Sequence, residues 1–184
     1  MKKLLGAIAV IHLICSLSFA SEDACLKAFR YKGPDKKLYI QLYTECLKSK
    51  TLSRGLQGDT YYNRGLAYYD LEDFGLAIKD FTAAIKLNPH DHEAYSDRGL
   101  CYYELGKYRR ALRDFNTSIK INPVNPRAFY LRGNLHSAKE KYDLAIKDYG
   151  KTIELKPNYV KAYTNRGIAH ASMGNTKTAV ADLS

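Results

Sequence analysis

The sequence predicts an all-α protein built from a row of similar helical hairpins. Its clearest pattern is a stretch with a central Arg-Gly pair, YYNRGLAYYD at 61–70, which returns at intervals of 34 residues. The later copies are YSDRGLCYYE at 95–104, FYLRGNLHSA at 129–138 and YTNRGIAHAS at 163–172. Apolar residues within a copy recur every three or four positions, which is typical of amphipathic helices. A fixed period of this length indicates stacked repeats rather than one central core.

Residues 1–20 have the pattern of a secretory signal peptide. Lys2 and Lys3 precede an apolar run at 4–19, which ends in small residues with a cleavage site after Ala20. The run is shorter than the ~20 residues that a membrane-spanning helix needs, although an uncleaved anchor stays an alternative. We therefore expect an exported protein of bacterial type, periplasmic or secreted.

The chain is basic, with 29 Lys and Arg residues against 19 Asp and Glu and a formal net charge of +10. Removal of Lys2 and Lys3 with the signal peptide leaves 27 basic residues against 19 acidic ones, a net charge of +8. No nucleic-acid-binding motif accompanies this charge, so we expect no nucleic-acid partner.

Residues 21–57 are predicted to form an N-terminal hairpin, a degenerate copy of the repeat. Its first helix lies near 22–31 and leads to a turn at Gly33-Pro34, and its second helix covers 35–49.

Three cysteines remain after removal of the signal peptide. Cys25 and Cys46 lie on either side of the first turn, and an oxidising compartment would allow them to pair. A disulfide and two free thiols both remain open at this stage. Cys101 lies on a packed helix face and is expected to be a free, small apolar side chain.

Each later copy is predicted to contain two antiparallel helices. In the first copy the packed face of the first helix runs from Tyr61 to Leu71, and that of the second helix from Phe74 to Ile85. Because only two residues join these helices, they must fold back on each other. The closing prolines at 89, 123 and 157 stop the second helices.

The glycine of each Arg-Gly pair is expected to let the two helices of a hairpin approach closely. A glycine inside a helix costs about 0.5–1 kcal/mol relative to alanine, so its return in every copy needs a compensating contact. Alanine follows it by twelve residues, and the hairpin should place Gly65 opposite Ala77 and Gly99 opposite Ala111. Two side chains this small allow an interaxial distance of about 8 Å.

An aspartate follows each repeat arginine by sixteen residues, at a level that should bring the two side chains together. The expected ion pairs are Arg64–Asp80, Arg98–Asp114, Arg132–Asp148 and Arg166–Asp182. An exposed pair is worth less than ~1 kcal/mol, so we expect these pairs mainly to fix the stagger of the helices. A row of ligand-binding arginines is the alternative.

A 34-residue hairpin with an early aromatic, a mid-helix glycine, a later alanine, then Phe or Tyr, and a closing proline resembles the tetratricopeptide repeat. Full copies span 58–91, 92–125 and 126–159, and an incomplete fourth copy spans 160–184. The resemblance implies a right-handed α-solenoid whose first helices line an inner groove for a peptide or a partner helix. It therefore implies a non-enzymatic protein-interaction scaffold without a cofactor.

The resemblance also implies which residues face the groove. They are Asp59, Tyr62, Leu66, Tyr69, Glu93, Leu100, Tyr103, Arg127, Tyr130, Asn134, Lys161 and Ile168. Carboxylates predominate in the first two copies and cations in the last two, so a ligand with a basic part and an acidic part would fit. The alternative is that the tyrosines simply coat the helices, since the chain contains 16.

The family variant that holds a terminal carboxylate is not matched. Tyr62 and Leu66 stand where its first copy needs lysine and asparagine, Asp97 replaces the next asparagine, and Leu131 replaces an arginine. Asn63 and Asn165 fall in an asparagine column, but without companions.

No catalytic constellation or metal site is predicted. His90 and His92 flank Asp91 in a turn, which offers too few ligands for firm metal binding. His136 and His170 replace tyrosines in a packed column and are expected to be rings at the edge of the core.

The alternative function is attachment to an anionic surface. The second helices carry Lys79, Lys86, Arg109, Arg110, Arg113, Lys120, Lys147 and Lys151. These side chains would attract anionic lipid or lipopolysaccharide phosphates, unless they form an ordinary solvated face. The sequence leaves the identity of the partner and the oligomeric state open.

Overall fold

A computed structural model describes residues 24–49 and 51–183 of the chain. Throughout these residues all regular secondary structure is helical and no strand occurs, which confirms the predicted all-α fold. The expected signal peptide at 1–20 lies outside the described residues.

The helices follow one another as an α-solenoid of antiparallel hairpins joined by short turns. Residues 24–30 belong to α1, and the later helices are α2 (Lys36–Leu47), α3 (Arg54–Asp70), α4 (Phe74–Leu87), α5 (His92–Glu104), α6 (Tyr108–Ile121), α7 (Pro126–Ala138), α8 (Tyr142–Leu155), α9 (Val160–Ser172) and α10 (Thr176–Leu183). The chain divides into two compact units, with α1 to α4 in the unit up to Pro89 and α5 to α10 in the unit from His90.

In the first unit, a disulfide between Cys25 and Cys46 joins α1 to α2. Of the two states that the sequence allows, the structure therefore has the bonded one. Both cysteines are buried, and Sγ of Cys46 lies 3.6 Å from the hydroxyl of Thr60 on α3. The bond is thus part of the interface through which α2 packs on α3.

The helix α3 begins at Arg54, before the expected start of the first full copy. Ser53 explains the earlier start, because its hydroxyl accepts a hydrogen bond from the N–H of Leu56 at 3.2 Å and caps the helix. Arg54 donates from its guanidinium to the carbonyls of Lys86 and Leu87, at 3.2 and 3.1 Å. The added turn of α3 is therefore fastened to the C-terminus of α4.

In the second unit, the first helices of the hairpins lie side by side. The helix α5 contacts α7, and α7 contacts α9, whereas the described helices α6 and α8 make no such contact. The second helices α6 and α8 each supply a fully buried ring that packs on the next hairpin. Phe115 of α6 packs with Leu135 of α7, and Tyr149 of α8 packs with Ala169 of α9.

The repeat glycines of the first three copies lie against aromatic rings. A Cβ added at Gly65 would come 2.8 Å from Cε1 of Phe81, and one added at Gly99 would come 2.7 Å from Cε1 of Phe115. At Gly99 the atoms nearest to the added Cβ belong to residues 114 and 115 rather than to the expected partner, Ala111. The reason is the direction of helical side chains: a ring leans back over the turn that precedes it, so the ring of Phe115 covers the level of the alanine.

Each repeat arginine binds the aspartate sixteen residues later through two parallel hydrogen bonds. Nε donates to Oδ2 and Nη2 to Oδ1 at 2.5–2.8 Å in Arg64–Asp80, Arg98–Asp114, Arg132–Asp148 and Arg166–Asp182. The four carboxylate side chains are 6–9% exposed. At this burial, loss of the arginine leaves an uncompensated charge, so each pair matters more than a surface ion pair.

Gly99→Ala is expected to lower the free energy of unfolding by about 1–3 kcal/mol, because the new Cβ overlaps a ring in a packed core. Gly150→Ala is the matched control in the same unit, since its Cβ would meet only Nη1 of Arg166, at 3.8 Å. The control should be neutral or stabilising by up to about 1 kcal/mol. Urea unfolding measures both variants, and equal effects would contradict the ring contact.

Candidate functional site

Three of the expected groove residues meet on the first helices of the second unit. Tyr103 from α5, Asn134 from α7 and Ile168 from α9 line an open cavity of about 380 Å³. The rest of its wall consists of Ser137, Ala138, Tyr149 and Asn165. We refer to the space lined by these seven residues as the asparagine cavity.

Asparagine and tyrosine side chains form a hydrogen-bonded group in this cavity. Oδ1 of Asn134 accepts from the hydroxyl of Tyr149 at 3.0 Å and from Nδ2 of Asn165 at 2.9 Å. Nδ2 of Asn165 also donates to the hydroxyl of Tyr130 at 3.2 Å. The rings of Tyr130 and Tyr149 pack with their centroids 6.0 Å apart. These contacts fix the orientation of both amide groups.

Both amides keep hydrogen-bonding capacity. An asparagine side chain offers two N–H donors and one carbonyl acceptor. Within the part of the chain that the structure describes, Nδ2 of Asn134 and Oδ1 of Asn165 have no partner. A fixed donor beside a fixed acceptor complements the C=O and N–H groups of a polypeptide backbone.

The asparagine cavity is uncharged at neutral pH. Its lining side chains are amides, a serine hydroxyl, phenols and aliphatic groups. Burial raises the pKa of Tyr149 to about 12, so this phenol stays protonated and remains a donor to Asn134. At the rim, Ile168 is 52% exposed and offers an apolar surface.

Sequence reasoning misses the two cavity residues whose side chains bond to Asn134, since it places Tyr149 among the core aromatics and treats Asn165 as isolated. The signal for Tyr149 is a hydroxyl in a column where Phe81 and Phe115 have none. The signal for Asn165 is its separation of 31 residues from Asn134, three short of the repeat period. Three residues are nearly one helical turn, so the two amides reach each other from adjacent first helices.

Arg127 is expected from the sequence to offer its charge to a ligand, but the structure pairs it with a carboxylate of the protein. Its Nη2 donates to Oδ1 of Asp97, a carboxylate whose side chain is 6% exposed. The buried acid already balances the charge of this arginine, which weakens its expected role of receiving an acidic part of a ligand.

The remaining groove positions divide between packing and exposure. In the first unit, Tyr62 packs on Phe81 with ring centroids 5.7 Å apart, and Tyr69 packs on Phe74 at 5.5 Å. Both tyrosines are therefore partly structural. The half-buried positions are Tyr62, Leu66, Tyr69, Leu100, Tyr103 and Tyr130, and the exposed ones are Asp59, Glu93, Lys161 and Ile168.

His136 and His170 each bury Nδ1 without a hydrogen-bond partner in the described part of the chain. Nε2 of His136 lies 3.8 Å from Oδ2 of Asp148. Burial lowers the pKa of His136; the carboxylate of Asp148 opposes this shift, whereas Arg132 and Lys141 add to it. The ring of His136 is therefore favoured in its neutral form.

Residues 24–49 and 51–183 contain no cluster of three or more His, Cys, Asp or Glu side chains that could hold a metal ion. Cys101 is fully buried, and burial raises the pKa of its thiol to about 12. It is therefore not a thiolate at neutral pH. None of the described helices has the length and apolar character that crossing a bilayer requires.

Comparisons with known proteins agree with this architecture. The family described as "Tetratricopeptide repeat" matches residues 62–126, and the family described as "TPR repeat" matches residues 133–174. The two matches together span more than half of the chain. No curated protein sequence matches.

Three solved structures illustrate the similarity of fold. A crystal structure of MamA is 26% identical, covers 80% of this chain and 84% of its own, and gives a TM-score of 0.72. YrrB, described as a TPR protein with an unusual peptide-binding site, is 19% identical over 80% of this chain and 74% of its own, with a TM-score of 0.64. The first TPR of Spaghetti (RPAP3), bound to the HSP90 peptide SRMEEVD, is 22% identical over 68% of this chain and 99% of its own, with a TM-score of 0.63.

His136→Tyr is expected to make the protein more resistant to acid, because the neutral form of His136 is favoured in the fold. Because the pKa of His136 is lowered in the fold, the unfolded chain binds more protons than the folded chain once the pH falls below the unfolded pKa of about 6.5. The contribution of His136 to stability is therefore lost as the pH falls below that value. Tyrosine occupies the same column at Tyr68 and Tyr102. Thermal unfolding from about pH 7.5 to about pH 5.5 tests this: equal losses of stability in the variant and the wild type would contradict it.

Proposed function

Because this chain belongs to the tetratricopeptide repeat family, we propose that it is a non-enzymatic scaffold that binds a segment of another protein. The observation that carries the proposal is the asparagine cavity, where the first helices of the second unit present an amide donor and an amide acceptor to which no other described residue bonds. Two proteins of similar fold, YrrB and Spaghetti, are described with a peptide-binding site or a bound peptide, which supports a polypeptide ligand.

The bound segment is extended rather than helical. Within a helix the backbone N–H and C=O groups already bond to each other, so they cannot satisfy Asn134 and Asn165. An extended segment has both groups available along its edge. Its backbone would bond to the two amides, and an apolar side chain would lie on the exposed surface of Ile168.

The ligand contact in this cavity does not depend on charge. The lining residues carry no ionised group, and the guanidinium of Arg127 is already bonded to Asp97. Salt screens interactions between charges much more than it changes neutral hydrogen bonds. Affinity for the segment should therefore change little with ionic strength.

We also propose that the protein is exported to the bacterial envelope or beyond. Support comes from the signal-like pattern at 1–20 and from the disulfide between Cys25 and Cys46, because such bonds persist in oxidising compartments. Non-reducing mass mapping of protein recovered from cells should find an N-terminus at Ser21 and an intact bond. An uncleaved chain with free thiols would contradict this location.

The peptide proposal is tested with ligands selected from a random peptide library displayed on phage, using the full chain as bait. Asn134→Ala should weaken binding of the selected peptides about tenfold, because it removes hydrogen bonds to the ligand and the carbonyl that holds Asn165 in place. Tyr149→Phe keeps the ring and removes only the hydroxyl, so a smaller loss is expected. Fluorescence anisotropy of labelled peptides measures both.

The control is Asn158→Ala, which removes an exposed amide in the turn before α9, outside the cavity. It should leave affinity unchanged, and circular dichroism should show the same helicity in all variants. The proposal fails if peptides bind Asn134→Ala as tightly as the wild type, or if raising the salt concentration abolishes binding.

A further inference from the structure

A second cavity lies on the hairpin of α5 and α6 and shares no residue with the asparagine cavity. It has a volume of about 340 Å³, and its wall consists of Arg98, Tyr102, Arg110, Arg113 and Asp114. We refer to it as the arginine cavity. Three guanidinium groups border this space, and those of Arg110 and Arg113 are exposed, so a negatively charged group that entered it would be attracted.

The arginine cavity carries two positive charges that no carboxylate of the described residues balances. The single carboxylate in its wall, Asp114, is already bound by Arg98 through two hydrogen bonds of 2.8 Å. The guanidinium of Arg110 lies over the ring of Tyr102, with its Cζ 5.6 Å from the ring centroid. Among the described residues, no carboxylate lies within 4.0 Å of Arg110 or Arg113.

The neighbouring repeats show that packing does not require these arginines. One repeat period away from Arg110 stand Leu76 and Leu144, which are 40% and 45% exposed. One period away from Arg113 stand the lysines at 79 and 147. Only the second copy therefore places two guanidinium groups here, three residues apart on one helix face, where their side chains are neighbours.

We propose that the arginine cavity binds a phosphomonoester group. Guanidinium groups present N–H donors in a planar fork that matches the oxygens of a phosphate. A phosphomonoester carries a charge close to −2 at neutral pH, which matches the two unbalanced arginines. A carboxylate would balance only one of them. The ring of Tyr102 holds the guanidinium of Arg110 in place and limits the entropy lost on binding.

The arginine cavity has room for more than an isolated phosphate ion. A water molecule occupies about 30 Å³ in the liquid, so the cavity of about 340 Å³ has room for part of the group that bears the phosphate. Two sources share this chemistry: the headgroup of a membrane lipid and a free phosphorylated molecule. The experiment separates them.

The test uses the full chain with two probes. The first is inorganic phosphate, titrated while the backbone amide signals of α5 and α6 are followed by NMR. The second is flotation with phosphatidylcholine vesicles that contain either phosphatidic acid, a phosphomonoester, or phosphatidylglycerol, a diester.

The variant Arg110→Leu installs the residue that the neighbouring copies have, and the control Lys147→Gln removes one exposed charge from α8. Thermal unfolding should be the same for both variants and the wild type.

Arg110→Leu should weaken binding of inorganic phosphate by about tenfold, because it removes one charged donor group, and Lys147→Gln should change it less than about twofold. A preference for phosphatidic acid over phosphatidylglycerol that Arg110→Leu removes would support the site and identify a lipid source. Saturable binding of inorganic phosphate without a preference between the two lipids would also support the site, and it would identify the ligand as a free phosphorylated molecule. The proposal is overturned if Arg110→Leu and Lys147→Gln act equally on both probes, or if neither probe binds.

Discussion

The structure depends on one contact, in which an aromatic ring lies where a glycine has no side chain. The ring belongs to the residue sixteen positions after the glycine, and the arginine–aspartate pair has the same separation. Arg98 and Gly99 on one helix therefore meet Asp114 and Phe115 on the other as two adjacent pairs. A slip by one residue would break the hydrogen bonds of the ion pair and drive a Cβ into the ring. The apolar and the polar contact thus specify the same stagger.

This shared register explains how much the sequence alone can predict. The arginine partner is predictable because an aspartate follows the arginine at the same separation in all four copies. The glycine partner is harder, since both an alanine and an aromatic follow each glycine at a constant separation. Only the backward lean of helical side chains decides for Phe115. The start of α3 at Arg54 is set by a local hydrogen bond to its cap, Ser53. The 34-residue period carries no information about this bond, so the sequence repeat does not predict where α3 begins.

The candidate site is harder to predict for a different reason. The asparagine cavity arises between helices of successive repeats, where residues meet at separations other than the repeat period. Asn134 and Asn165 look unrelated in aligned copies, and the partner of Arg127 is Asp97 on α5, the first helix of the preceding repeat. On this face Asp97 balances the charge of Arg127, and neutral amide groups stay available to a ligand. The hairpin of α5 and α6 instead presents unbalanced positive charge, because no described carboxylate pairs with its Arg110 and Arg113.

The most direct test of the central contact is a double-mutant cycle at Gly133 and Tyr149, where an added Cβ would lie 2.7 Å from Cε1 of the ring. Free energies of unfolding are needed for the wild type, Gly133→Ala, Tyr149→Leu and the double variant. If the ring occupies the space beside the glycine, Gly133→Ala destabilises the wild type but is neutral or stabilising in the Tyr149→Leu background, where the opposing side chain is smaller. A penalty that is equal in both backgrounds, within about 0.5 kcal/mol, would contradict the account.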